Sequence, residues 1–300
     1  MQSLGPKRLL WVDIDTRADE TALRRAIETV KFDDANIDRI ARDDGRARLT
    51  RTAQLLHITL ESVQSDEGEP PELTRHEIDL LAGPDVVLTV HEGPVEALDR
   101  FRESIDGETR LGDLTAGDLV SALVDEVLVG YFLLVEEIER EIDELDHRAF
   151  RGRHGDDILA AMVALRQRIS LIRRTLAPHR DAFSSLALPR LGIEDAIGKP
   201  WPGLVDRLEA AMAAVEALRD GLLGTFDIHM GRVSQRANDV MRTLTLLSAV
   251  LLPAVVLAGV MGMNFKLGFF DATSNFWLVL GSMAALAITI LAVARARRWL

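Results

Sequence analysis

The amino-acid sequence predicts an α+β membrane protein. An N-terminal α/β domain on the cytoplasmic side leads into an acidic helical hairpin. A very long helix then carries the first of two C-terminal transmembrane spans. Three observations predict this. Thr243 to Met261 and Phe276 to Ala294 hold no charged residue, and each is about the length that crosses a ~30 Å hydrocarbon core. From Leu114 onward the apolar residues recur in steps of three and four, the period of an amphipathic helix. Before that point, short apolar runs alternate with Gly–Pro punctuation, as in a sheet with helices packed on it.

In the first hundred residues, Leu9 to Ile14, Leu56 to Leu60, and Val86 to Val90 between Gly83-Pro84 and Gly93-Pro94 have strand character. Thr21 to Val30 and Val95 to Ser104 have helical spacing, and Gly68 to Pro71 has the composition of a surface loop. Beyond Leu114, Leu119, Leu123, Val127, Leu134, Ile138, Ile142 and Leu145 share one helix face, and Glu136, Glu137, Glu139, Glu141, Asp143, Glu144 and Asp146 crowd the rest. Gly152 and Gly155 break this helix from a second, Asp156 to Ala177, which is rich in arginine (Arg166, Arg168, Arg173, Arg174). An acidic and a basic helix joined by a short turn are expected to pair antiparallel with their charges matched.

Pro200-Trp201-Pro202-Gly203 then introduces the longest helix, Leu204 to Val260, whose one proline is Pro253. At 1.5 Å per residue it is a stalk of roughly 80 Å, well beyond one bilayer. A proline inside a span is tolerated where neighbouring helices satisfy the freed carbonyl. The expected organisation is 1–112 (α/β domain), 113–200 (hairpin region), 201–243 (stalk), 244–264 (first span), 265–275 (external loop), 276–294 (second span) and 295–300 (basic tail).

The formal charge of −12 over 300 residues argues against nucleic acid as a partner. An acidic surface suits cations, although most such charge is solvated surface. The absence of cysteine removes disulfides, thiolate metal ligands and Cys nucleophiles together. There is no HExxH, Gly-rich phosphate loop, nucleophile elbow or defensible Ser-His-Asp spacing, so neither an enzyme nor an organic cofactor is expected. His147, His154 and His179 lie in or near polar helix ends and are expected at the surface. The apolar run Leu9 to Val12 is too short for a signal peptide. Arg232, Arg236 and Arg242 precede the first span, Arg295, Arg297 and Arg298 follow the second, and the loop between them offers only Lys266. Both termini are therefore expected in the cytoplasm and the loop outside, with lipid around the spans.

The long helix carries two stripes. Leu204, Leu208, Met212, Val215, Leu218, Leu222, Phe226, Met230 and Val233 form a packing seam. Asp227, Ser234, Met241, Ser248 and Val255 recur every seven residues, with Asn238, Thr245, Leu252 and Gly259 beside them at the same period. A sustained seven-residue repeat favours a left-handed supercoil that keeps one stripe on a common axis. Small and polar residues there suit a hydrated axis, but they also suit a dry, close helix–helix contact in a membrane.

Asn238-Asp239-Val240-Met241-Arg242-Thr243-Leu244-Thr245, then Leu252-Pro253, then Gly259-Val260-Met261-Gly262-Met263-Asn264-Phe265, resembles the pore helix of the CorA family of magnesium transporters. The second span ending in a basic cluster, the α/β front end, the acidic hairpin and the stalk are similar too, so the resemblance covers essentially the whole chain. It implies a homopentamer in the cell (inner) membrane, with five stalk and pore helices around one conduit and Mg²⁺ as both cargo and regulator. Co²⁺ and Ni²⁺ are implied as further cargo.

Gly262, Met263 and Asn264 would form the selectivity filter, with the Asn264 carboxamides meeting the ion's water shell. Gly262 would free the helix end to turn, capping it in a left-handed conformation. Asn238 would be a polar ring, Met241 and Leu244 an apolar constriction gating by dewetting, and Asp227 an acidic ring near the cytoplasmic exit. Leu252 and Gly259 would line the pore above.

The chain departs from the family pattern where Met261 replaces a common tyrosine, Val255 a pore threonine, and Lys266 stands near the mouth. The family's regulatory stalk aspartate falls on Gly203, leaving Asp206, one turn later, as a weak substitute metal ligand. Two other readings share these residues. One is a proton-coupled zinc transporter of the same superfamily, and the other a non-conducting, membrane-anchored scaffold or sensor.

Overall fold

The computed structural model describes residues 2–4, 9–17, 47–52, 55–66, 68, 71–107, 115–151, 155–186, 202–263 and 273–297. The chain divides into two compact units, Met1–Phe226 and Asp227–Leu300. Thr21 to Val30, Gly152, Trp201, Asn264 and Lys266 lie outside the described residues.

The first unit is built on a six-stranded sheet in the order β1-β2-β6-β5-β4-β3. The strands are β1 (Gln2–Leu4), β2 (Leu9–Asp15), β3 (Arg48–Thr52), β4 (Leu55–Ser65), β5 (Leu73–Ala82) and β6 (Val86–His91). Among the described strands only the β2–β6 pair is parallel; the other neighbours are antiparallel. β2, β4 and β6 fall where apolar runs predict strands. β5 was not anticipated, because its first half (Thr74, Arg75, His76, Glu77) is polar. It forms because the ten-pair register with β4, from Leu56↔Ala82 to Ser65↔Leu73, places Ile78, Leu80 and Leu81 in the core.

Five helices follow among the described residues: α1 (Glu96–Gly107), α2 (Ala116–Arg151), α3 (Gly155–Leu186), α4 (Pro202–Met261) and α5 (Thr273–Ala296). α2 starts on a capping box. The Asp118 N–H donates to Thr115 Oγ1 at 3.2 Å, and the Thr115 N–H donates back to Asp118 Oδ2 at 2.9 Å, satisfying two donors at the helix start. Its seven predicted core residues, Leu119 to Leu145, are all buried.

α3 runs nine residues past its predicted end at Ala177, straight through Pro178. Leu176, His179, Ala182 and Phe183 continue its buried face, so packing outweighs the one backbone hydrogen bond that proline removes. The surface expectation for His179 is thereby overturned.

One apolar core joins the sheet, α1, α2, α3 and the first third of α4. The predicted seam on α4 is buried at Leu204, Leu208, Val215, Leu218 and Leu222, but Phe226, Met230 and Val233 are exposed. The hairpin's charges match across α2 and α3 at Arg168, which bonds Glu137 at 2.6 Å and also Glu141. Other arginines turn to α4 instead: Arg173 pairs with Glu216 at 3.4 Å and Arg180 with Glu209 at 2.8 Å. Arg207 of α4 pairs with Asp125 of α2 at 2.8 Å.

Candidate ion pathway

Among the described residues, α4 and α5 are the two helices long and apolar enough to cross a membrane, with mean hydropathy of 2.4 and 2.3 in their most apolar windows. α4 reaches Met261 without a break despite Pro253. At its end the Gly262 N–H donates to the Ala258 carbonyl at 2.9 Å, and the Met263 N–H to the Val260 carbonyl at 3.2 Å. The last turn thus tightens from i−4 to i−3 bonding, which gives the Ala258 and Val260 carbonyls partners without a left-handed residue. Gly262 is not in the left-handed region, since Gly93 is the one described glycine with positive φ. The expected left-handed cap is corrected on this point. Asn264, the third residue of the tripeptide, lies outside the described residues.

The other proposed pore residues are all exposed on α4: Asp227, Asn238, Met241, Leu244, Leu252 and Gly259. Helical geometry sets Leu244 roughly 60° round from Met241, so these two residues cover adjacent strips rather than one line. The Thr245 hydroxyl donates to the Met241 carbonyl at 2.8 Å, and that of Thr243 to the Asp239 carbonyl at 2.9 Å. Their donors are satisfied within the helix, which leaves lone pairs as their outward polar feature. Asp206 is exposed, and no group of three or more His, Asp or Glu residues able to hold a metal ion occurs among the described residues.

Residues 6–295 match the family of CorA-like Mg²⁺ transporter proteins. The chain belongs to this family. It is similar to the cobalt/magnesium transport protein CorA of Thermotoga maritima, at 27% identity over 235 residues, covering 76% of this chain and 66% of that relative, just under two thirds. It is also similar to the zinc transport protein ZntB of Photorhabdus laumondii, at 24% identity over 280 residues, covering 86% of this chain and 78% of that relative. The fold resembles the complete structure of the CorA magnesium transporter from Methanocaldococcus jannaschii. The TM-score is 0.78 at 20% identity, covering 98% of this chain and 92% of that one.

Within this CorA-like fold, two polar clusters lie where sequence reasoning did not look. The first ties the parallel strand pair to α1. Asp13 on β2 receives a hydrogen bond from Thr89 on β6 and from Arg102 on α1 at 2.5 Å, and faces His91 at 3.3 Å. The Trp11 indole N–H donates to Thr89 at 3.2 Å. Burial pushes the Asp13 carboxyl up, but bonds from His91 and Thr89 with the charges of His91 and Arg102 outweigh it and hold it below its usual value. Burial likewise pushes His91 down, but the bond to Asp13, the charges of Asp13 and Asp15 and the Gly93 carbonyl together outweigh it, leaving it raised.

The second cluster seals β4 beyond the end of β3. The Glu61 N–H donates to His179 Nε2 at 3.0 Å, and the Tyr131 hydroxyl donates to the Glu61 carbonyl at 2.7 Å. His179 Nδ1 bonds the Thr175 carbonyl at 3.0 Å, which fixes the neutral tautomer with the proton on Nδ1. Burial drops the His179 pKa to about 4. The ordered spacing of Tyr131 and His179 on two helices gives no sequence signal, because their shared partner is a strand backbone.

Proposed function

We propose that the chain is a channel-type transporter for divalent cations, Mg²⁺ foremost with Co²⁺ and Ni²⁺ as further cargo. In this reading a homopentamer encloses the pore, cytoplasmic Mg²⁺ gates it, and both termini lie on the cytoplasmic side of the inner membrane. The observation that carries the reading is the position of Gly262-Met263-Asn264. The tripeptide stands at the C-terminal end of a 60-residue apolar-ended helix in a chain of this family.

A helix C-terminus carries about half a negative charge on its free carbonyls. Five such ends around one axis concentrate a field that favours cations at the mouth. Mg²⁺ holds its waters tightly and demands an octahedron of oxygens, so a ring of Asn264 carboxamides is suited to accept hydrogen bonds from the water shell without stripping it. Below the mouth, Gly259, Leu252 and Asn238 line the conduit, Met241 and Leu244 form a collar that closes by dewetting, and Asp227 concentrates cations at the inner end. Asp206 is the candidate metal ligand on the stalk.

The test is uptake into proteoliposomes. Asn264→Ala abolishes Mg²⁺ flux while the oligomer stays intact; undiminished flux would remove the filter assignment. The zinc reading draws on the similarity to a zinc transport protein. Zn²⁺ prefers nitrogen and sulfur ligands, and the chain has no cysteine and offers His229 as the histidine of α4. Zn²⁺ uptake that follows a proton gradient would favour it, and absence of flux for every divalent ion would favour the scaffold reading.

A further inference from the structure

His91 is the last residue of β6 and is buried. Both of its ring nitrogens face acceptors. Nδ1 lies 2.7 Å from the Gly93 carbonyl, and Nε2 lies 3.3 Å from Asp13 Oδ1 on β2. A neutral imidazole has one N–H and one lone pair. It can donate to only one of these oxygens, and either tautomer sets its lone pair against the other. No donor among the described residues bonds Nε2. The imidazolium donates to both acceptors, so the geometry matches the charged ring.

The groups around the ring fit that charge. Asp13 and Asp15 on β2 supply carboxylates, and Arg102 on α1 bonds Asp13 at 2.5 Å and Asp99 at 2.8 Å. Arg17 and Glu92 pair with each other at 2.8 Å nearer the surface. From β5 the residue opposite is Ile78, which carries no charge. Burial opposes the ring's charge, but Asp13, the Gly93 carbonyl and Asp15 outweigh it and hold the pKa above 6.5.

What the ring holds is the turn between β6 and α1. Gly93 sits at φ 77°, a conformation that costs glycine little. A Cβ there would meet Arg17 Nη1 at 3.2 Å. The Gly93 N–H donates to Asp15 Oδ1 at 2.9 Å, and its carbonyl is the one His91 holds. α1 begins at Glu96 and returns Arg102 to Asp13. The turn and the helix are thus both tied to the parallel strand pair, and His91 is the link that titrates.

We infer that His91 is a proton-operated latch, which as the charged ring ties the 92–95 turn to β2 and on losing its proton lets go of the Gly93 carbonyl. A neutral ring keeps its one N–H on the carboxylate, because a charge-assisted bond is the stronger, so Gly93 is the partner lost. The release is a local opening. α1 stays docked through Arg100, which bonds Glu126 at 2.7 Å, and through Phe101, whose ring meets Trp11 edge to face at 5.3 Å. The latch is fully closed below pH 6.5 and opens as pH rises through the raised value of the folded state. It is independent of whether the chain conducts ions.

The test uses the full-length protein in detergent with isotope-labelled histidine, and His91→Gln identifies which of the seven histidine signals is His91. Its midpoint is expected above 6.5. Hydrogen exchange, corrected for its intrinsic pH dependence, is followed in peptides from 91–107, with β4 and α2 as controls. Protection of 91–107 is expected to be constant below pH 6.5. Above it, protection should fall by up to about tenfold per pH unit until the His91 midpoint is passed, while both controls hold. Asp13→Asn should bring the midpoint down and remove the fall. A wild-type midpoint at or below 6.5 overturns the latch, as does protection of 91–107 that ignores pH. A fall shared equally by β4 and α2 overturns it too, because that is global unfolding. So does a fall that persists in both His91→Gln and Asp13→Asn, because another group then titrates.

Discussion

The imidazole of His179 joins α3 to the open edge of β4, accepting from the Glu61 N–H while its own Nδ1–H is held by the Thr175 carbonyl. Protonating Nε2 would cost the Glu61 bond and bury a charge, which is why the pKa sits near 4 rather than 6.5. Above pH 6.5 folded and unfolded states are both neutral here, and the contribution is complete. As pH falls from 6.5 to about 4, the unfolded chain takes up a proton that the folded one refuses, and roughly 3 kcal/mol is lost.

His91 has the opposite sign. Its raised value means stabilisation that is complete below 6.5 and lost as pH rises through the folded value. Asp13, lowered, contributes above 3.8 and loses that as pH falls through its folded value. We predict that His179→Gln lowers the thermal midpoint at neutral pH and flattens its dependence between pH 6.5 and 4. A slope equal to wild type would show that another group titrates there. Tyr131→Phe is expected to cost about 1–3 kcal/mol, because it strips a partner from a buried carbonyl. Chemical denaturation at pH 7.5 reads that loss apart from the histidine effect. Neither residue was legible beforehand. A histidine among arginines on a polar helix looks solvated until the strand that meets it is in place.

Elements were legible in proportion to how much of their pattern is local. One seam of α2 was legible, because Leu119 to Leu145 repeat at helical spacing and the second half of the helix sets them against an acidic background. Ile138 is fully buried in that seam, and Ile138→Ala is expected to destabilise the fold by about 2–5 kcal/mol, measured by denaturant unfolding. The extension of α3 beyond Pro178 was hidden, since proline is a stop signal whose override depends on contacts far away in sequence. β5 was hidden for a related reason: half of it is polar and its register comes from β4. On α4, Met241 and Leu244 are exposed to 64% and 58% in the chain, which leaves them free for the proposed collar. Met241→Gly or Leu244→Gly costs the helix about 1 kcal/mol, small against a 60-residue element, so the oligomer should persist while the apolar collar is lost. Mg²⁺ flux should then continue at high internal Mg²⁺, where the proposed gating would close wild type. Normal closure in both variants would remove the collar.

At the scale of the whole molecule, Gly262-Met263-Asn264 stands out in the sequence because two apolar spans flank it, whereas the proposed ring would be spread over copies that no single sequence displays. The energetics of that ring lead to a last prediction. An ion moving through a water-filled pore is driven by its own gradient and by the membrane potential. For a divalent cation the potential contributes about 4.6 kcal/mol per 100 mV, at 2.3 kcal/mol per elementary charge. With about 1.4 kcal/mol per factor of ten, that is more than a thousandfold in accumulation. Mg²⁺ uptake into proteoliposomes should therefore rise steeply when the interior is made negative with a potassium gradient and ionophore, and should be indifferent to a pH gradient of either sign. A proton-coupled carrier behaves the other way, because the proton gradient enters its cycle directly. Uptake that follows pH while ignoring the potential would transfer the chain to the proton-coupled zinc reading, and Zn²⁺ in place of Mg²⁺ would then be the better cargo in the same vesicles.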